Sequence, residues 1–154
     1  MLEVLFAEVY AKFKLNFYRR IFSRFETREA SLTAVETFCV EVIHALDNPT
    51  IKEFANFVMI SQANAAYKVQ NLIRKGYVTK KRSEEDRREY TLSVTDKFYH
   101  YYAQSSEYMN EVMRRMRERF TDSEIKTLEY ILETISNELM PEIPLKKKAA
   151  CRLT

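Results

Sequence analysis

The stretch that decides the fold is SQANAAYKVQNLIRKGYVTKKRSEEDRREYTLSV, residues 61–94. Its first half places Ala65, Val69, Leu72 and Ile73 at the three- and four-residue steps of a helix with one buried face. Ser61 stands where an N-cap hydroxyl belongs. Gly76, the only glycine of 154 residues, follows the last periodic position, where a left-handed residue ends a helix at least cost. GYVTKK and REYTL then read as two strands, the second alternating Tyr90, Leu92 and Val94 onto one face. Between them RSEEDRR, residues 82–88, is charged at six positions of seven. A turn meant only to reverse the chain would use Asn-Gly or Asp-Gly. This tip is built to reach something outside the protein.

Working upstream, TIKE at Thr50 and TAVE at Thr33 are capping boxes, each with a Glu three residues after the hydroxyl. The first opens a short helix with Phe54, Phe57 and Val58 facing inward. The second opens a helix whose expected stripe is Val35, Phe38, Cys39, Val42, Ile43 and Leu46, stopped by DNP. Before them, Leu2, Leu5, Phe6, Val9, Phe13, Phe17 and Ile21 mark an amphipathic helix over residues 2–22, and TREAS reads as a connector. Downstream, Thr95 is placed to cap a long helix to about Phe120, with a stripe of Phe98, Tyr101, Tyr108, Val112 and Met116. A third capping box, TDSE at Thr121, opens a last helix. Its Ile125, Leu128, Leu132, Ile135 and Leu139 step by 3, 4, 3, 4, the spacing of a coiled-coil seam.

Composition agrees with this layout. Hydrophobic residues are 46% and charged residues 31%, enough apolar surface to close a core in one domain. One glycine and three prolines are too few turn formers for an all-β fold. The fold class is therefore mainly α with a small β-hairpin. The N-terminal run is broken by Glu3, Glu8 and Lys12, unlike a secretory signal, and no run approaches the ~20 apolar residues of a membrane span. A cytoplasmic protein without a membrane partner is expected.

Net charge is only +3, but it is unevenly spread. Ser61 to Arg82 holds six cations and no acid, whereas Thr121 to Glu142 holds six acids and one Lys126. Opposite its apolar stripe, the 61–75 helix presents Ser61, Gln62, Asn64, Tyr67, Lys68, Asn71 and Arg74. Asn and Gln amides can bond an adenine edge bidentately in a major groove, and Lys or Arg a guanine or a phosphate. A merely solvated face would interleave Glu with Lys; the absence of acids here favours DNA.

Two helices, a turn, a second helix and a hairpin make residues 50–92 a winged helix-turn-helix. With LT opening the second helix, PTIKEFANFV before the turn, LIRKGYV running into the wing and SEEDRREYTLSVT around its tip, residues 31–98 resemble the core of a MarR-family transcriptional regulator. The resemblance implies a single domain over 1–154. Residues 31–94 would be the winged helix-turn-helix DNA-binding core, 1–30 and 95–140 dimerisation helices, and 141–154 a mobile tail. It implies a homodimeric repressor on a pseudo-palindromic operator in double-stranded DNA, released by a small aromatic or lipid-like effector. On the wing it implies that Asp86 orients Arg88, which reaches into the minor groove. Arg87 and Arg82 then suit phosphate contacts, which position without specifying. Leu5, Phe6, Val9, Leu128, Leu132 and Ile135 would carry dimerisation.

Phe98 stands where the family usually has a glycine, and with Phe38, Tyr101 and Tyr102 it could wall an effector pocket or be plain core. Cys39 is either a small buried side chain or a redox-sensing thiolate. His44 and His100 are isolated and lack a third ligand, so no metal or cofactor is expected. No P-loop or catalytic triad spacing appears, which speaks against an enzyme. A winged-helix module that docks an acidic protein is the competing reading.

Overall fold

Local chemistry starts and stops the helices where the sequence places the signals. The computed structural model describes residues 1–26, 32–83, 89–143 and 145 of the chain. The order is α1 (Leu2–Glu26), α2 (Ala34–Ala45), α3 (Ile51–Phe57), α4 (Gln62–Arg74), β1 (Val78–Arg82), β2 (Tyr90–Val94), α5 (Asp96–Arg119) and α6 (Asp122–Thr134), then a π-helical turn, Ile135–Leu139. All three capping boxes form: Thr33, Thr50 and Thr121 each accept from the backbone of Glu36, Glu53 and Glu124, whose carboxylates accept in return. Ser61 accepts from the N–H of Asn64 at 3.2 Å and caps α4.

Gly76 ends α4 at φ +79°. Its N–H donates to the Ile73 carbonyl and that of Tyr77 to Leu72, the paired bonds of a Schellman motif. An added Cβ would meet only the Lys97 Cδ at 3.9 Å. The space is therefore open, and the backbone conformation is what asks for glycine, a left-handed side chain costing roughly 1–2 kcal/mol.

The core lies between α2, α3, α4, the hairpin and the start of α5. Val40, Ile43, Phe54, Ala65, Val69, Leu72, Val78, Leu92 and Phe98 are all buried there. β1 and β2 pair antiparallel with Val78 opposite Val94, Lys80 opposite Leu92 and Arg82 opposite Tyr90. The Leu92 N–H also donates to the Pro49 carbonyl at 2.8 Å, and Thr50 bridges Thr91. The wing is thus fastened to the α2–α3 connector.

Several expectations need correction. On α2 the buried face is turned by about one residue: Thr37 and Val40 are buried with Cys39 and Ile43, while Val35 and Phe38 stay about half exposed. The reason is that α2 packs its buried face on α4 and β2. Phe57 is also partly exposed, and buried Ala55 stands beside Phe54 instead. Thr95 does not cap α5 with its side chain. Its hydroxyl donates to the Gly76 carbonyl at 2.7 Å, tying the end of α4 to the start of α5. α1 runs to Glu26, beyond the expected residue 22. The α6 stripe is not buried within one chain, and its last residues sit in the π turn. No described helix is long and apolar enough to cross a membrane.

Candidate nucleic-acid interface

A helix can present a polar face only if its other face is held, and α4 is held along its apolar side and at its C-terminus. Its apolar side, Ala65, Val69 and Leu72, is buried to 1% exposure or less. At its C-terminus the Lys75 ammonium lies 2.7 Å from the Glu36 carboxylate on α2. Lys97 from α5 donates to the Lys75 carbonyl at 2.9 Å, and its ammonium rests 4.5 Å over the Tyr77 ring. Glu36 serves twice, since it also accepts from the Thr33 N–H at 2.7 Å. Burial opposes ionisation of Glu36, but the Lys75 ammonium and the Thr33 N–H and hydroxyl outweigh it and hold the carboxyl below its ordinary range.

Of the predicted reading residues, Ser61, Gln62, Asn64 and Tyr67 are exposed, Tyr67 at 68%. Lys68 is half-buried. Asn71 is half-buried too, and its side-chain oxygen accepts from Arg74 at 2.8 Å. Asn71 and Arg74 are therefore coupled on that face. Gln70 is exposed and was not singled out from the sequence. Lys75, one of the six cations counted on this stretch, is taken up by Glu36 and does not contribute to an open basic face.

The hairpin continues the surface. Thr79, Lys80, Lys81 and Arg82 are exposed on β1, and the Lys80 ammonium lies 5.6 Å from the centre of the exposed Tyr90 ring across the register. The Ser83 N–H donates to the Glu89 carbonyl at 3.0 Å, closing the base of the loop. Asp86, Arg87 and Arg88 lie outside the described residues. Helix and hairpin together give an amide- and hydroxyl-bearing ridge beside a lysine-bearing strand, without an exposed acid from Ser61 to Ser83. That chemistry suits a polyanion with hydrogen-bonding edges.

An aromatic-lined cavity is present, with walls that differ from the expected set. A cavity of about 430 Å³ lies between α1, α2 and α5, lined by Tyr10, Phe13, Phe17, Phe38, Tyr102 and Tyr108. Phe38 and Tyr102 are where the sequence reading put them. Phe98 is fully buried in the core, and neither it nor Tyr101 lines this cavity. Burial, and next the Glu41 carboxylate, push the Tyr102 hydroxyl above its ordinary value. The α1 and α5 rings meet edge-on, Phe13 and Tyr108 at 5.8 Å. Periodicity marks Phe13, Phe17 and Tyr108 as stripe residues, but not that two stripes face each other across a gap.

His44 is buried among the rings of Phe98, Tyr102 and Tyr99, at 5.0, 5.1 and 5.7 Å, and is thus part of the α2–α5 packing. Among the described residues no group of three or more His, Cys, Asp or Glu is placed to hold a metal. Cys39 is buried, and burial raises its thiol above the usual value.

Comparison with known proteins places this geometry. Residues 32–90 match the model of the MarR family. The fold resembles a MarR family protein from Bacillus stearothermophilus (TM-score 0.63, 20% identity, covering 90% of this chain and 92% of that one). It also resembles the transcriptional regulator Tm0710 from Thermotoga maritima (TM-score 0.61, 20% identity, 86% and 89% covered). A third similar structure is Streptococcus pneumoniae FabT in complex with DNA (TM-score 0.58, 19% identity, 90% and 97% covered). No curated protein matches the chain by sequence.

Proposed function

We propose that this chain, a MarR-family DNA-binding regulator by its core over residues 32–90, acts as a homodimeric repressor that leaves a pseudo-palindromic operator when a small effector binds. The family is one of transcriptional regulators and not of enzymes. The observation that carries the reading is the exposed, acid-free face of α4 beside β1, held rigidly by the Glu36–Lys75–Lys97 clamp. Gln62 and Asn64 would read base edges from the N-terminal turn, the part that recognition helices present to the major groove. Arg82 and Arg87 would position the wing on phosphates, and Arg88, oriented by Asp86, would enter the minor groove. A protein of the same fold, FabT, has been seen in complex with DNA.

Dimerisation is supported by what one chain leaves uncovered. Leu5, Phe6 and Val9 on α1 are 53–60% exposed, and Leu132 on α6 is 49% exposed. A two-fold dimer through these faces would set two α4 helices about 34–36 Å apart, one turn of DNA. The cavity between α1, α2 and α5 lies where the arms join the core. A small, largely apolar aromatic or lipid-like effector filling it would change the spacing of the lobes and so the affinity for DNA. Such a regulator would work in the cytoplasm, beside its operator.

The test is a titration of the purified protein against an operator selected from random duplexes, at two salt concentrations, with wild type and Asn64→Ala. Phosphate binding predicts a log–log salt slope of roughly −0.9 per contact. Asn64→Ala should lose about 1–3 kcal/mol on the operator and little on random DNA. Equal losses on both would remove Asn64 from base reading. No binding to any duplex at moderate salt would favour a protein-docking module instead.

A further inference from the structure

Three successive helices of the core end in left-handed residues, and these residues differ in kind. α2 passes into Asp47 and Asn48, at φ 49° and 60°. Both are short polar residues of the sort that tolerates this region. They are also held: the Asn48 amide donates to Asp47 at 2.9 Å, and Ser93 donates to the Asn48 oxygen at 2.6 Å. α4 ends on Gly76, which has no Cβ to strain. α3 ends on Met59, at φ 58°.

The hydrogen bonding around Met59 repeats that around Gly76. The Met59 N–H donates to the Asn56 carbonyl and that of Ile60 to Ala55, as those of Gly76 and Tyr77 do to Ile73 and Leu72. The same Schellman motif is thus made twice within twenty residues, once with the residue it prefers and once with a long thioether. Burial does not compensate, because Met59 is 91% exposed, more than any other large hydrophobic residue described. Strain and exposure coincide at one position, and glycine or asparagine would remove both. Strained backbone of this kind points to function when the isolated fold gives it no return.

The location says what that function is. Met59 stands two residues before Ser61, the N-cap of α4, in the turn that leads to Gln62 and Asn64. On the DNA-binding reading above, on which this inference rests, the N-terminal turn of α4 is the part at the major groove. The groove offers one apolar feature, the C5-methyl group of thymine, and apolar side chains can meet it. We propose that Met59 is a specificity-determining residue that contacts a thymine methyl at the edge of the half-site read by α4. The flexible thioether chain can adapt to the groove wall, and the left-handed turn holds it clear of the protein surface.

The test uses the full chain and the operator enriched from a random duplex pool. Each thymine of a half-site is replaced in turn by deoxyuridine, which removes only the methyl group. Wild type should lose about fourfold in affinity at one thymine, the equivalent of one buried methyl. Met59→Gly should bind the thymine and uracil versions of that position equally, and Met59→Leu should keep the preference. Met59→Gly should also melt no lower than wild type, and up to about 4 °C higher once the strain is gone. Wild type indifferent to every methyl would overturn the proposal, as would a Met59→Gly protein that keeps the full preference. A lower melting point for Met59→Gly would remove its strain premise and overturn it too. Should the pool yield no enriched duplex, the DNA reading itself fails and the proposal falls with it.

Discussion

In the core, Phe54, Leu72, Leu92 and Phe98 have no exposed surface, whereas on α1 Leu2, Phe6 and Phe22 are each at least 60% exposed. Both regions are written in the same amphipathic code, with apolar residues three and four apart. The difference is where the code is satisfied. Helices α2, α3 and α4 with the hairpin surround one another, so each stripe finds cover in its own chain. α1 and α6 are arms: α1 meets α5, α6 meets α5, and much of their remaining apolar faces is left exposed among the described residues. Periodicity specifies that a face wants burial but not which molecule supplies the cover.

Phe54→Ala probes the self-sufficient side and should have the largest effect. Emptying a fully buried site should cost about 3–5 kcal/mol in urea unfolding. A loss below about 1 kcal/mol would mean that the core is not where stability resides. The arm side is sharpened by Leu132→Asp. A charge placed on the exposed α6 face should weaken self-association about a hundredfold by sedimentation equilibrium, near 2.7 kcal/mol, while helicity by circular dichroism is kept. Unchanged self-association would break the contrast, because α6 would then not be covered by a second copy.

Glu36→Gln has the smallest expected effect and tests the clamp between α2 and α4. Glutamine can still serve the capping box, so the substitution isolates the charge that meets Lys75. The expected cost at pH 7 is about 2 kcal/mol. Because the folded-state pKa of Glu36 is lowered from 4.5, its contribution is complete above that ordinary value and is lost as pH falls through the lowered one. The gap in urea midpoint between wild type and Glu36→Gln should therefore narrow from pH 7 to pH 3. A gap of the same size at both would show that ionisation of Glu36 is not what holds Lys75.

Much of the fold was legible because helix boundaries are set by groups within a few residues of each other. Thr33, Thr50, Ser61 and Thr121 cap as their spacing to the following residues predicts, and Gly76 ends α4 as a lone glycine after an apolar stripe should. The polar face of α4 was legible too, since turning Ala65, Val69 and Leu72 inward leaves Gln62, Asn64 and Tyr67 outside. Met59 was not. In the sequence it is one apolar residue in a short turn, and only its φ angle and exposure mark it. The pocket was half legible: Phe38 and Tyr102 were named, but Tyr10, Phe13, Phe17 and Tyr108 needed α1 and α5 to be placed side by side.

By itself, then, the sequence determined the order of elements, where the capped helices α2, α3, α4 and α6 begin and where α4 ends, and a surface without acids on one of them. Those follow from hydrogen bonds and sterics that span three or four residues. Tertiary structure alone decided that Thr37 and Val40 turn inward on α2 while Val35 and Phe38 do not. It also decided that Thr95 serves Gly76, 19 residues away, and that Lys75 serves Glu36, 39 residues away. Such choices depend on which neighbour arrives from elsewhere in the chain. No window along the sequence contains that neighbour, because packing compares every face with every other before one is buried.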